Sequence, residues 1–85
     1  METGERFAVP ERVIVSPASG RFRPATEAED VPLDAQSIIG YVDGVGHTTE
    51  VRSPFRGFLK GLMAHAGERV REGQPVAWLT TTATA

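Results

Sequence analysis

The stretch "VSPASGRF", residues 15–22, shares its plan with "RSPFRGFL", residues 52–59. Ser16-Pro17 recurs as Ser53-Pro54 and Gly20 recurs as Gly57, in both cases 37 residues on (53 − 16 and 57 − 20). Further along, "EDVPLDAQSIIGYV" overlays "ERVREGQPVAWL", with Val31 over Val70 at a spacing of 39 and Gln36 over Gln74 at 38. The chain therefore reads as two halves of about 37 residues. Each opens on a Ser-Pro corner, runs through a strand begun by glycine, crosses a polar turn and closes on an apolar strand. A fragment of three or four strands has one apolar face and cannot hide it alone. Two such fragments related by a two-fold axis cover each other, giving a flattened sandwich or barrel. Proline suits the corners, where no ladder N–H is needed, and Gly20 and Gly57 read as the residues that supply the bends.

Nine glycines and six prolines are spread along the chain and cut it into short apolar segments rich in valine, isoleucine and threonine. That pattern predicts many short strands with tight turns and an all-β domain. The best helix candidate, "LKGLMAHAG", has Gly61 inside it and Gly67 at its end, which argues against a helix. Phe22, Phe55, Phe58 and Trp78 alternate as core residues do.

At 85 residues the chain makes one domain with a thin core. Without cysteine it has neither a disulfide framework nor a thiolate metal site. A net charge of −2 gives no electrostatic case for nucleic acid or an anionic membrane as partner. Eight arginines stand against one lysine, Lys60, the bias that a GC-rich genome produces. No apolar run is long enough to span a membrane, and "METGERFAVPERV" lacks the basic start and apolar stretch of a secretory signal. A cytoplasmic location is the default expectation. The organisation expected is a flexible N-terminal segment over 1–12, the domain over 13–79 and a disordered tail over 80–85.

The stretch "EVRSPFRGFLKGLMAHAGERVREGQPVAWL", residues 50–79, resembles the biotinyl/lipoyl carrier domains. That family shows a charged-apolar-x-[SA]-P-x-x-G opening, a lysine-containing strand, then G-[DE]-x-V-x-x-G-Q-x-[LV]. The first half fits more loosely, with "VIVSPASGRF" for the opening and "DVPLDAQSIIGYV" for the closing stretch. The resemblance implies a barrel-sandwich hybrid: two four-stranded sheets with pseudo-two-fold symmetry. It also implies that a central hairpin joins the halves and carries the modified lysine, usually within E-A-M-K-M for biotin or D-K-A for lipoate.

Counting back from Glu50-Val51 lays "VDGVGHTTEV" on that hairpin without a gap. Asp43 takes the place of the glutamate, Gly44 the alanine, Val45 the first methionine and His47 the second. Gly46 falls where the lysine belongs, and nothing in glycine can form an amide with biotin or lipoate. A type I′ hairpin needs positive φ at both central positions, a geometry that glycine adopts without penalty. Turns at Val45-Gly46 and at Asp43-Gly44 both fit; they shift partners by four residues, so every side chain keeps its face. The resemblance places Lys60 on a second-half strand away from the hairpin, where a surface lysine is the expectation.

Other chemistry is thin. His47 and His65 have no metal-ligand spacing, and Asp43 and Glu50 flank the tip with no pocket to tune a pKa. "GVG" is not a phosphate cradle, because "HTTEV" continues as strand rather than helix. Arg21, Arg23, Arg52 and Arg56 occupy equivalent places near the two Ser-Pro corners, as a basic surface for an acidic partner or as edge charges that discourage aggregation. The reading is a non-catalytic carrier-like domain, with no cofactor and no metal, docking to a carboxylase- or dehydrogenase-type protein complex. Two alternatives remain: a functional biotin or lipoyl carrier that uses Lys60, and the lipoyl-like piece of a membrane-fusion adaptor, in which a long helical hairpin separates the halves.

Overall fold

A computed structural model describes residues 11–81. Its eight strands are β1 Glu11–Val15, β2 Gly20–Pro24, β3 Val31–Leu33, β4 Ile38–Gly44, β5 His47–Arg52, β6 Gly57–Leu62, β7 Arg69–Val70 and β8 Pro75–Thr80. They form two antiparallel four-stranded sheets, one ordered β1-β8-β6-β3 and the other β5-β4-β2-β7. This is the barrel-sandwich hybrid. There is no helix among the described residues, and "LKGLMAHAG" runs from β6 into a turn. Among the described residues no helix is long and apolar enough to cross a membrane. Strand β1 begins at Glu11 and β8 ends at Thr80, just outside the 13–79 bounds read from sequence. The rest of the expected N-terminal segment, residues 1–10, and the tail from residue 82 lie outside the described residues.

The internal repeat is more regular than its sequence. The spacing of 37 holds through both halves without a gap, so the offsets of 39 and 38 are corrected. Leu33 pairs with Gly57 as Gly20 pairs with Val70, which makes Leu33 the counterpart of Val70 (70 − 33). Buried residues fall into the same register: Ile14 with Val51, Phe22 with Leu59, Ile39 with Val76, Val42 with Leu79. The bulge of the β1–β8 pairing recurs in β4–β5, whereas that of β6–β8 has no counterpart in β2–β4. Gly20 and Gly57 serve close approach rather than bending. A Cβ at Gly57 would stand 2.0 Å from the Thr80 carbonyl oxygen, and one at Gly20 2.5 Å from that of Asp43.

The aromatic expectation holds only for Phe22, which is fully buried. Phe58 and Trp78 are half-buried and Phe55 is exposed. Trp78 is paired with Val13 and Gly61 on the outer side of its sheet, and its ring lies over Gly61, where a Cβ would sit 2.9 Å from Nε1. Phe55 instead stacks beneath the Arg12 guanidinium, 5.3 Å from the ring centroid.

The Ser-Pro corners are the ties between the halves. Ser16 and Ser53 are fully buried. Each hydroxyl donates at 2.6 Å to the carbonyl two residues on, Ala18 or Phe55. The Ser16 amide donates to Gln74 O and its carbonyl accepts from Gly73 N. The Ser53 amide and carbonyl do the same with Ser37 and Gln36. Removing either hydroxyl takes away a side-chain donor that is itself buried and leaves its carbonyl acceptor without that partner. Ser16→Ala and Ser53→Ala are each expected to cost about 1–2 kcal/mol, nearly equal by symmetry. Urea midpoints measure this, and a neutral result at either site contradicts the equivalence of the corners.

Candidate functional site

The β4–β5 hairpin joins the two halves, and its register settles the turn: Gly44 faces His47, so Val45 and Gly46 form the tip. Only these two residues separate the halves, where the adaptor reading requires a long helical hairpin. Gly46 has φ of 79°, whereas Val45 is not among the residues of positive φ. The type I′ expectation is therefore corrected. Positive φ at the second central position alone is the pattern of a type II turn, which still favours glycine at Gly46. The Val45 side chain is 98% exposed. Nothing lies within 4 Å of the place a Cβ on Gly46 would occupy. The His47 ring folds back over its own turn: Nδ1–H donates to Val45 O at 3.0 Å, and the ring lies 3.0 Å from where a Gly44 Cβ would be. The tip thus presents a valine side chain, a bare glycine and an imidazole tied to its own backbone.

Asp43, one residue inside the closing pair, is gripped from two sides. Arg23 on β2 donates to it through Nε at 2.9 Å and through Nη2 at 3.0 Å, and Thr48 Oγ1 donates at 2.7 Å. The Arg23 guanidinium also lies over the Tyr41 ring, 4.5 Å from its centroid. The hydrogen bonds from Arg23 and then Thr48, with the Arg23 charge, hold the Asp43 carboxyl down to about 2; the same pair raises Arg23. Glu50 faces Tyr41 in the register and is taken by Arg52 Nε at 3.0 Å. Each tip carboxylate therefore has its own arginine, and the two do not form an acid–base pair. The sequence reading left Arg23 out of the tip because β2–β4 pairing is a tertiary contact that no local pattern signals.

The four arginines do not converge. Arg21 donates through Nη1 to Gly67 O at 2.9 Å. Arg52, on the far strand of the same sheet, also donates to Gln36 O at 2.8 Å. Arg56, in the β5–β6 connection, stands 4.0 Å from Asp34 with both side chains largely in solvent. Lys60 is the extra residue of a bulge in β6, on the sheet opposite the hairpin, and ion-pairs with Asp30. His65 lies in the β6–β7 connection, its backbone amide bonded to Glu68 Oε1 at 2.8 Å. No three His, Cys, Asp or Glu among the described residues are grouped to hold a metal ion.

No protein-family model matches the chain, and no curated protein matches it in sequence. Solved structures do match. One is described as a single-chain, multi-domain long-chain acyl-CoA carboxylase: TM-score 0.75, 14% identity, over 98% of this chain and 8% of that one. Another is the product-bound ectoine utilization protein EutE (DoeB) from Ruegeria pomeroyi: TM-score 0.64, 20% identity, over 82% of this chain and 22% of that one. The likeness is one of fold. In both cases this chain spans only a small part of the longer protein.

A carboxyl held below its unfolded value, about 4, stabilises the fold above that pH, and the contribution fades as pH falls toward the folded value. Carboxyl-carbon NMR should give Asp43 a midpoint near 2 in the native chain. In Arg23→Gln the midpoint should return toward the ordinary carboxylate range. An unmoved midpoint in that variant removes Arg23 as the main cause.

Proposed function

We propose that this chain is a carrier-like domain of the biotinyl/lipoyl type that bears no prosthetic group. It acts as a non-catalytic accessory or docking module in a biotin- or lipoate-dependent complex, of the carboxylase or dehydrogenase class. The observation that carries the reading is Gly46, an open glycine at the tip of the hairpin that joins the two halves. Attachment of biotin or lipoate needs an amine there. The hairpin itself persists between the two halves, so a partner can still read the scaffold without receiving a group from it. The fold likeness to a segment of a long-chain acyl-CoA carboxylase supports the carboxylase setting. Lys60, in a bulge and ion-paired with Asp30, lacks the free presentation that a modifying ligase reads at a hairpin tip.

Intact-mass measurement after co-expression with a biotin or a lipoate ligase tests this. The expected result is the unmodified mass with both. A ligase-dependent increment that disappears in Lys60→Ala overturns the reading in favour of a true carrier.

Gly46→Lys is expected to fold, because the space around the turn is open. The positive φ sets the cost at about 1–2 kcal/mol, measurable by thermal melting. The flanking "DGV" and "HTT" differ from the family's motif, so this single change should not restore biotinylation. Efficient modification of the variant would instead mark a recently lost carrier.

A further inference from the structure

The outer faces of the two sheets differ sharply although their cores match. Across the sheet that holds the hairpin, one row runs Arg69, Arg21, Asp43, Thr48 in direct register. Two like charges thus stand opposite each other on β7 and β2, an arrangement that destabilises a strand pair. Asp43 could relieve it, being the register partner of Arg21, but both its oxygens are engaged by Arg23 and Thr48. Arg21 turns instead to the Gly67 carbonyl. Of the neighbouring acids, the Glu68 carboxylate accepts from the His65 amide. No described carboxylate forms an ion pair with Arg21 or Arg69.

The fold does not require this. The symmetry-related positions in the other sheet, 37 residues away, hold Phe58 opposite Pro32, an uncharged pair. The two arginines border a depression of about 300 Å³ that reaches the hairpin, with Gly20, Gly44 and the exposed Val45 also on its wall. Its twin on the other sheet sets one arginine, Arg56, against one acid, Asp34, whereas here two arginines stand against Asp43, which Arg23 and Thr48 already hold. Beside the tip, two facing arginines thus stand together without an ion-paired carboxylate among the described residues.

We propose that the Arg21–Arg69 pair is where this domain binds an acidic segment of a protein partner. The guanidiniums take its carboxylates as planar two-pronged donors, and Val45 meets an adjoining apolar side chain. Asp43 in the same wall and a net charge of −2 disfavour a nucleic acid. The inference rests on the docking reading above and names its contact.

A fluorescein-labelled peptide, Glu-Glu-Val-Glu-Glu, is the probe, titrated into the full chain at low and at high salt. Saturable binding that weakens with salt is expected, with amide shifts centred on residues 21, 45 and 69 in 15N spectra. The double variant Arg21→Gln/Arg69→Gln should bind about tenfold more weakly, the loss of roughly one good ionic contact. Arg52→Gln should bind like the native chain. The double variant should also melt at a higher temperature than the native chain at low salt, with the gain lost at high salt. Equal binding by the native chain and the double variant overturns the proposal. So does equal binding of Gln-Gln-Val-Gln-Gln, no binding at millimolar peptide, or tighter binding of oligothymidine. These outcomes leave the mass test untouched, whereas a biotinylated chain would sink the docking reading and leave the peptide result standing.

Discussion

Two buried serines hold this molecule in its shape. Each Ser-Pro corner belongs to one half yet spends its backbone hydrogen bonds on the other: Ser16 on Gln74 and Gly73, Ser53 on Ser37 and Gln36. Both serines are buried, and there an unmatched amide or carbonyl costs more than a made hydrogen bond returns. The corners therefore lock the register of the halves, and the apolar pairs behind them, such as Phe22 with Leu59, follow from that register. Close contact at Gly57 and Gly20 brings the next strands in against Thr80 and Asp43. From there the hairpin tip, with Asp43 just inside it, has only one place to go.

The duplicated plan and the all-β architecture could be read from the chain because the markers at the corners, serine, proline and glycine, recur at identical spacing. The middle of each half was harder to align, for a physical reason. Gly67 and Gly73 turn the chain with φ of 83° and 88°, and their counterparts Asp30 and Gln36 do the same at 60° and 77°. A glycine signature in one half is thus an acidic or amide residue in the other, and matching by residue type slides the alignment by one or two positions. The aromatics misled for a different reason. On a strand, burial depends on which side a residue faces, and Trp78 faces outward over Gly61.

At the hairpin, local sequence narrowed the tip to Val45-Gly46 or Asp43-Gly44, and only the strand register chose the first. Local sequence was not enough to fix the turn type, since the backbone of Val45 answers to the twist of the strands around it. Nor could it show that Arg23 holds Asp43, or that Arg21 faces Arg69, because those pairings join strands remote in sequence. Arg21, Arg23, Arg52 and Arg56 are not repeat equivalents either, although their places near the Ser-Pro corners suggested it. At the spacing of 37 they fall on Phe58, Lys60, Val15 and Ser19, and their surroundings differ. Arg23 and Arg52 each have a carboxylate of their own, and Arg56 has only a distant one.

The strand order has an ancestral implication. Each sheet is woven from both halves: β1 and β3 lie with β6 and β8, and β2 and β4 with β5 and β7. Neither half possesses a complete sheet, so neither is a domain in its own right. A gene encoding one copy would have yielded a stable product only as an intertwined homodimer, with fusion at the Val45–Gly46 junction turning two chains into one. A polypeptide severed at that junction would, by the same logic, regain its shape only when both pieces meet.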